Sequence, residues 1–204
     1  MEQDNQHKII ILAAPSGAGK TTIKSRVMQV MDDQLAFSIS ATTRKIRAGE
    51  KDGVDYFFIS PEAFKSKMAD DGFIEWEMVY EGLYYGTTKS EMERIWTMNK
   101  TPLLDIDVYG AIKVRQLFGK NALAIFIAPP SIEVLKERLI KRGTDSAEVI
   151  AKRIEKAAEE ISQQIHFDHI VLNDNLDAAT EQVLSLIQGF LGKIPTSNEK
   201  THNE

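Results

Sequence analysis

KIIILAAPSGAGKTT (residues 8–22) decides how the rest of the chain is read. Its first half is a short β-branched run, of the kind that forms a strand buried on both faces. Its second half fits G-x-x-x-x-G-K-[ST], with Ala14 where the first glycine usually stands. A strand that runs through a glycine-rich turn into a helix presents consecutive backbone N–H groups to an anion. Gly17 and Gly19 permit the conformations this requires. Lys20 would then set an ammonium against the β- and γ-phosphates of a nucleotide, and the Thr21 hydroxyl would bind Mg²⁺. An ordinary glycine turn between strand and helix is the plain alternative.

Outward from this stretch, strand-like and helix-like segments alternate. LLDID (103–107), ALAIFIA (122–128) and HIVLN (169–173) read as further buried strands. Helical patterns cover residues 19–31, 108–118, 131–142 and 177–191. That rhythm predicts an α/β fold, with a parallel sheet covered by helices. Residues 38–98 break it. SISATTR, DYFFIS, FIEWEMVY and LYYGTT read as short strands, interrupted by one helix that starts near Ser60-Pro61. The expected organisation is a single domain with a core of about 8–37, 99–139 and 161–192. A mostly β insertion spans about 38–98, a helical, arginine-bearing lid about 140–160, and polar tails 1–7 and 193–204. Trp76, Phe57 and Phe58 are expected in the core.

Composition narrows the function. The chain has 204 residues, 43% hydrophobic and 27% charged, which is ordinary for a globular protein. Lys and Arg total 25 against 30 Asp and Glu, a net charge of −5, which argues against a general nucleic-acid binder. With no cysteine, disulfides, thiolate metal sites and cysteine nucleophiles are excluded. No apolar run approaches the roughly 20 residues of a membrane span, so a soluble cytoplasmic protein with no membrane partner is expected. His166 and His169 straddle a helix-to-strand change and suggest no metal site. A GTPase would carry N-K-x-D after a core strand, but NKTP (99–102) has Pro in place of the Asp and precedes a strand.

Two further groups complete a candidate site. Asp105 and Asp107 stand at the C-terminal end of a core strand, the edge where open α/β sheets bind ligands. One could hold Mg²⁺ through water and the other could face substrate; a capping aspartate is the alternative for either. In the insertion, Arg44, Arg47 and Tyr56 suit a phosphate, through guanidinium forks and a phenol. Glu75 could accept from both N1–H and the 2-amino group of guanine, donors that adenine does not offer. Surface ion pairing is the alternative for the arginines of 138–153, which lie close to Glu137, Glu148 and Glu155.

With these pieces assembled, the sequence resembles guanylate kinases. APSGAGKTT, SATTRKIRAGEKDGVDYFF, FIEWE, YYGTT, LLDID, IAPPSIEVLKERLIKRGTD and IVLND carry the likeness, in family order, over roughly residues 8–192. The resemblance implies a P-loop core with a monophosphate-binding subdomain and a lid, and transfer of the ATP γ-phosphoryl to GMP or dGMP with Mg²⁺. It implies ATP binding by Ala14, Pro15, Ser16, Gly17, Ala18, Gly19, Lys20, Thr21 and Thr22, with Asn173 near adenine. Ser40, Arg44, Arg47, Tyr56 and Tyr85 would hold the GMP phosphate. Glu75, Thr87 and Asp107 would read guanine, and Asp105 with Thr21 would lie at the metal. Lys20, Arg138, Arg142 and Arg153 would act on the moving phosphoryl group. VYEGLYYG is one residue longer than the commoner family spacing, which leaves Tyr84 as the alternative to Tyr85. A non-catalytic protein-binding module of the same fold, or a related P-loop kinase with another phosphorylated acceptor, are the competing functions.

Overall fold

Residues 7–143 and 146–192 are described in a computed structural model of the chain. The chain runs through Ile9–Ala13 (β1), Lys20–Val30 (α1), Leu35–Phe37 (β2), Ala41–Thr42 (β3), Phe57–Phe58 (β4), Pro61–Ala69 (α2), Phe73–Tyr80 (β5) and Leu83–Thr88 (β6). It continues through Lys89–Thr97 (α3), Thr101–Asp105 (β7), Val108–Phe118 (α4), Ala122–Ala128 (β8), Ile132–Arg142 (α5), Ala147–Ser162 (α6), His169–Leu172 (β9) and Leu176–Leu191 (α7).

Five strands form a parallel sheet in the order β2-β7-β1-β8-β9. All five residues of β1 are buried. Ile10 and Leu12 enter one apolar cluster with Ile23 and Val27 of α1 and Val183 and Ile187 of α7. Ile9, Ile11 and Ala13 enter another with Met92 and Ile95 of α3 and Val114 of α4. That split is the two-residue period of a strand covered on both faces. It places the loop after β1 and the end of β7 side by side at the C-terminal edge of the sheet.

A second sheet has the order β4-β3-β6-β5, and β5 and β6 pair as an antiparallel hairpin. Ser60 caps α2 through a hydrogen bond from the Ala63 N–H, with Pro61 at the first helical position. Phe64 of α2 then stacks on Phe73 and Tyr84, with ring centroids 4.3 and 5.2 Å away.

Three expectations change. β2 is a core strand of three residues, too short for a pattern to reveal. α3 lies inside the stretch read as strands with a single helix. Its signal is TKSE (88–91), in which Thr88 accepts from the Glu91 N–H while Met92 and Ile95 face the core. Trp76, expected in the core, is 39% exposed, and Phe57 and Phe58 are half-buried. Alternation along β5 turns Trp76 out and its neighbour Glu75 in.

Candidate active site

An open cleft of about 690 Å³ separates the loop after β1 from the second sheet. Residues 14–17 and 19–22 line one side, Ser40, Tyr56, Glu75 and Tyr85 another, with Asp105, Asp107, Arg138 and Glu160 between them.

The loop takes its shape from two glycines. Gly17 and Gly19 have φ of 93° and 95°, the left-handed region that side chains disfavour. Ala14 is absent from the positive-φ residues, so a methyl group is tolerated where the motif usually has glycine. Asn173 supports the loop from below. Its Nδ2 donates to the Ala18 carbonyl at 2.7 Å, and a Cβ on Gly19 would lie 2.2 Å from that nitrogen. Asn173 is thus packed under the loop, 4% exposed, and its Oδ1 is buried without a hydrogen-bond partner among the described residues.

Lys20 leaves the loop for the end of β7. Its Nζ lies 2.7 Å from Asp105 Oδ1 and donates to the Ile106 carbonyl at 2.7 Å. Lys24, one turn further along α1, lies 2.9 Å from Asp105 Oδ2. Burial pushes the Asp105 carboxyl up, but the two ammonium groups outweigh it and hold it below its ordinary value. Asp107 serves first as a helix cap: Oδ1 accepts from the N–H groups of Tyr109 and Gly110 at 2.9 and 3.0 Å. The capping role and the cleft-lining role therefore fall on one residue.

Across the cleft, Glu75 of β5 sits opposite Thr87 of β6 in the hairpin register. Thr87 Oγ1 donates to Glu75 Oε1 at 2.7 Å, and the residues are 0% and 5% exposed. Burial pushes the Glu75 carboxyl up to about 7, against the Thr87 hydrogen bond and with a smaller push from the Asp107 charge. A Cβ on Gly110 would lie 2.8 Å from Glu75 Oε2 and 3.2 Å from Asp107 Oδ2, so both carboxylates converge on a residue that has no side chain.

Tyr56 and Tyr85 meet with ring centroids 5.8 Å apart, and burial raises the Tyr56 phenol. Tyr85 lines the cleft, whereas Tyr84 packs on Phe64. Arg44 and Arg47 are not among the cleft-lining residues. Arg44 forks onto Glu50 at 2.7 and 2.9 Å, with its guanidinium carbon 5.3 Å from the Tyr56 ring centroid. Hydrogen bonds from Arg44 and from the Arg47 N–H pull the Glu50 carboxyl down to about 2. Arg138 donates to the Asn173 carbonyl at 3.0 Å, and Arg153 of α6 donates to Ser16 Oγ at 2.8 Å. Arg142 ends α5, and its side chain lies outside the described part of the structure.

The comparisons bear on what such a cleft serves. A family model described as guanylate kinase matches residues 6–189. A guanylate kinase of Porphyromonas gingivalis is 47% identical over 186 residues, 91% of this chain and 99% of that one. Another, of Chlorobium chlorochromatii, is 48% identical over 91% of this chain and 96% of its own length.

The chain belongs to the guanylate kinase family.

The likeness extends to the fold. The crystal structure of guanylate kinase from Anaplasma phagocytophilum matches with a TM-score of 0.73 at 26% identity, covering 95% of this chain and 89% of that one. Three charged residues escaped the sequence reading: Glu160, which lines the cleft, and Lys24 and Glu50, which lie behind it on Asp105 and Arg44. Lys24 had a signal, since it follows Lys20 by four on one helix face. Glu50 and Glu160 had none beyond charge. Glu160 is 6% exposed, and burial raises its carboxyl against the pull of Lys156.

Proposed function

We infer that the protein transfers the γ-phosphoryl group of ATP to GMP, giving ADP and GDP, and that dGMP is also accepted. The observation that carries this reading is one cleft with a phosphate loop on one wall and a buried Glu75–Thr87 pair on the other. In this assignment the loop amides and Lys20 bind the ATP phosphates. Ser40, Arg44, Arg47, Tyr56 and Tyr85 hold the GMP phosphate, which requires Arg44 to exchange Glu50 for that phosphate. Ionised Glu75 accepts from N1–H and the 2-amino group of guanine, Thr87 offers its hydroxyl, and Asp107 accepts a further donor. Asn173 supports the loop and lies toward adenine.

An oxygen of the GMP phosphate attacks the γ-phosphorus, and the bond to the β–γ bridging oxygen breaks to release ADP. No protein nucleophile is required; Lys20, Arg138, Arg142 and Arg153 stabilise charge on the moving group. The donor set fits a hard cation carried mainly by substrate phosphates. Among the described residues no three His, Asp or Glu form a metal cage, while Thr21 and Asp105 both line the cleft. Mg²⁺ held by the ATP phosphates, with Thr21 and Asp105 at its edge, would neutralise phosphate charge.

We further place the GMP-binding part at about 38–98 and the lid at about 140–160, on a core of 8–37, 99–139 and 161–192. The whole second sheet falling within 38–98 supports this division. Among the described residues no helix is long and apolar enough to cross a membrane. The cytoplasm, where both nucleotide pools lie, is the proposed location.

ADP formation from ATP and Mg²⁺ with GMP, dGMP, AMP, CMP and UMP in parallel tests the reading. Turnover with GMP and dGMP alone is expected. Equal turnover with AMP would remove the guanine assignment, and no turnover with any acceptor would favour a non-catalytic binding module.

A further inference from the structure

We propose that Lys24 is a positioning residue of the phosphate-donor site: it keeps the Asp105 carboxylate fixed and charge-balanced while Lys20 leaves it for nucleotide phosphate. This rests on the ATP assignment made above. Lys20 and Lys24 share one face of α1 and divide a single carboxylate, one oxygen each, at 2.7 and 2.9 Å. All three side chains are largely enclosed, at 18%, 19% and 15% exposure for Lys20, Lys24 and Asp105. Lys24 is fixed on a second side by the Phe37 ring of β2, whose centroid lies 4.1 Å from its Nζ.

The arrangement solves a problem set by Lys20. A lysine that must bind phosphate cannot be the sole partner of an enclosed carboxylate, because leaving would strand that charge. With Lys24 on the other oxygen, Asp105 keeps a countercharge throughout. Lys20 and Asp105 line the cleft and Lys24 does not, so its influence on a ligand passes through Asp105.

A double-mutant cycle separates this role from simple long-range attraction between Lys24 and phosphate. Affinity for metal-free ADP is measured by calorimetry in the wild type, Lys24→Met, Asp105→Asn and the double variant, with GMP affinity and thermal melting alongside. Lys24→Met should weaken ADP binding roughly tenfold, and Lys24→Arg should restore most of it, while GMP affinity stays unchanged. In the Asp105→Asn background the same change should cost less than about twofold. Lys24→Gln, which keeps a hydrogen-bonding tip, replaces Lys24→Met if the methionine variant does not fold, with the same expectations. An unchanged ADP affinity in Lys24→Met would overturn the proposal, as would an equal loss with and without Asp105. If the wild type itself binds no ADP, the donor-site assignment fails first and the role of Lys24 falls with it.

Discussion

At the loop after β1, backbone shape carries most of the design: two left-handed glycines set the turn, and one lysine supplies charge. Across the cleft the polar work falls to side chains, with a carboxylate and a hydroxyl brought together by strand register from positions 12 apart in sequence. The first arrangement suits a ligand read only as charge. The second suits a ligand read by its pattern of donors, because a buried acceptor left unpaired is costly. The two walls should therefore fail differently when altered.

The largest loss is expected at the loop. Lys20→Ala should lower kcat by about 10³-fold or more through lost charge stabilisation. Its melting temperature should change little, because Lys24 still balances Asp105. Steady-state kinetics with a thermal melt checks this, and near-normal turnover in a folded variant would take the loop out of the mechanism. Next comes the wall of the Glu75–Thr87 pair. Glu75→Gln should lower kcat/KM for GMP by about 10²-fold, since an amide can replace only one of two accepted hydrogen bonds. The KM for ATP should be unaffected, and a change shared by both substrates would erase the distinction between the walls.

The second wall should also respond to pH. Under the proposed assignment only ionised Glu75 can accept both guanine donors, and burial pushes its carboxyl up to about 7. The KM for GMP should therefore fall as pH rises from 6 toward 8, and this step should vanish in Glu75→Gln. Stability runs the other way. A carboxyl raised above its unfolded value of 4.5 contributes stability that is fully present below 4.5 and is lost as pH rises through about 7. Glu75→Gln should thus gain melting temperature relative to the wild type at pH 8 but not at pH 5. The smallest effects are expected at Arg44 and Arg47. Each change to Ala should raise the KM for GMP about tenfold with ATP affinity intact, as separate titrations of the two nucleotides would reveal.

The same contrast governs what the sequence discloses. The loop is contiguous, so nine residues carry both its fold and its chemistry. Glu75 and Thr87 were legible as residue types within a family pattern, but their mutual hydrogen bond exists only through the β5–β6 register. Asp107 combines a cap with a place in the cleft, so composition could not separate its two readings. β2 was too short to register, and α3 was hidden among strand-like segments although its capping pattern was present. Asn173 illustrates a different gap. The resemblance sets it near adenine, and only packing discloses that it also lies beneath Gly19 as a support for the loop.

Guanine recognition by the buried Glu75–Thr87 wall, as proposed, is best examined by varying the base alone. kcat/KM should be measured for GMP, IMP and AMP under one set of conditions. IMP keeps N1–H but lacks the 2-amino group, and AMP offers neither donor in that arrangement. GMP should exceed IMP by about 10²-fold, and AMP should fall lower still. An AMP value within a few-fold of GMP would contradict guanine recognition by Glu75, Thr87 and Asp107.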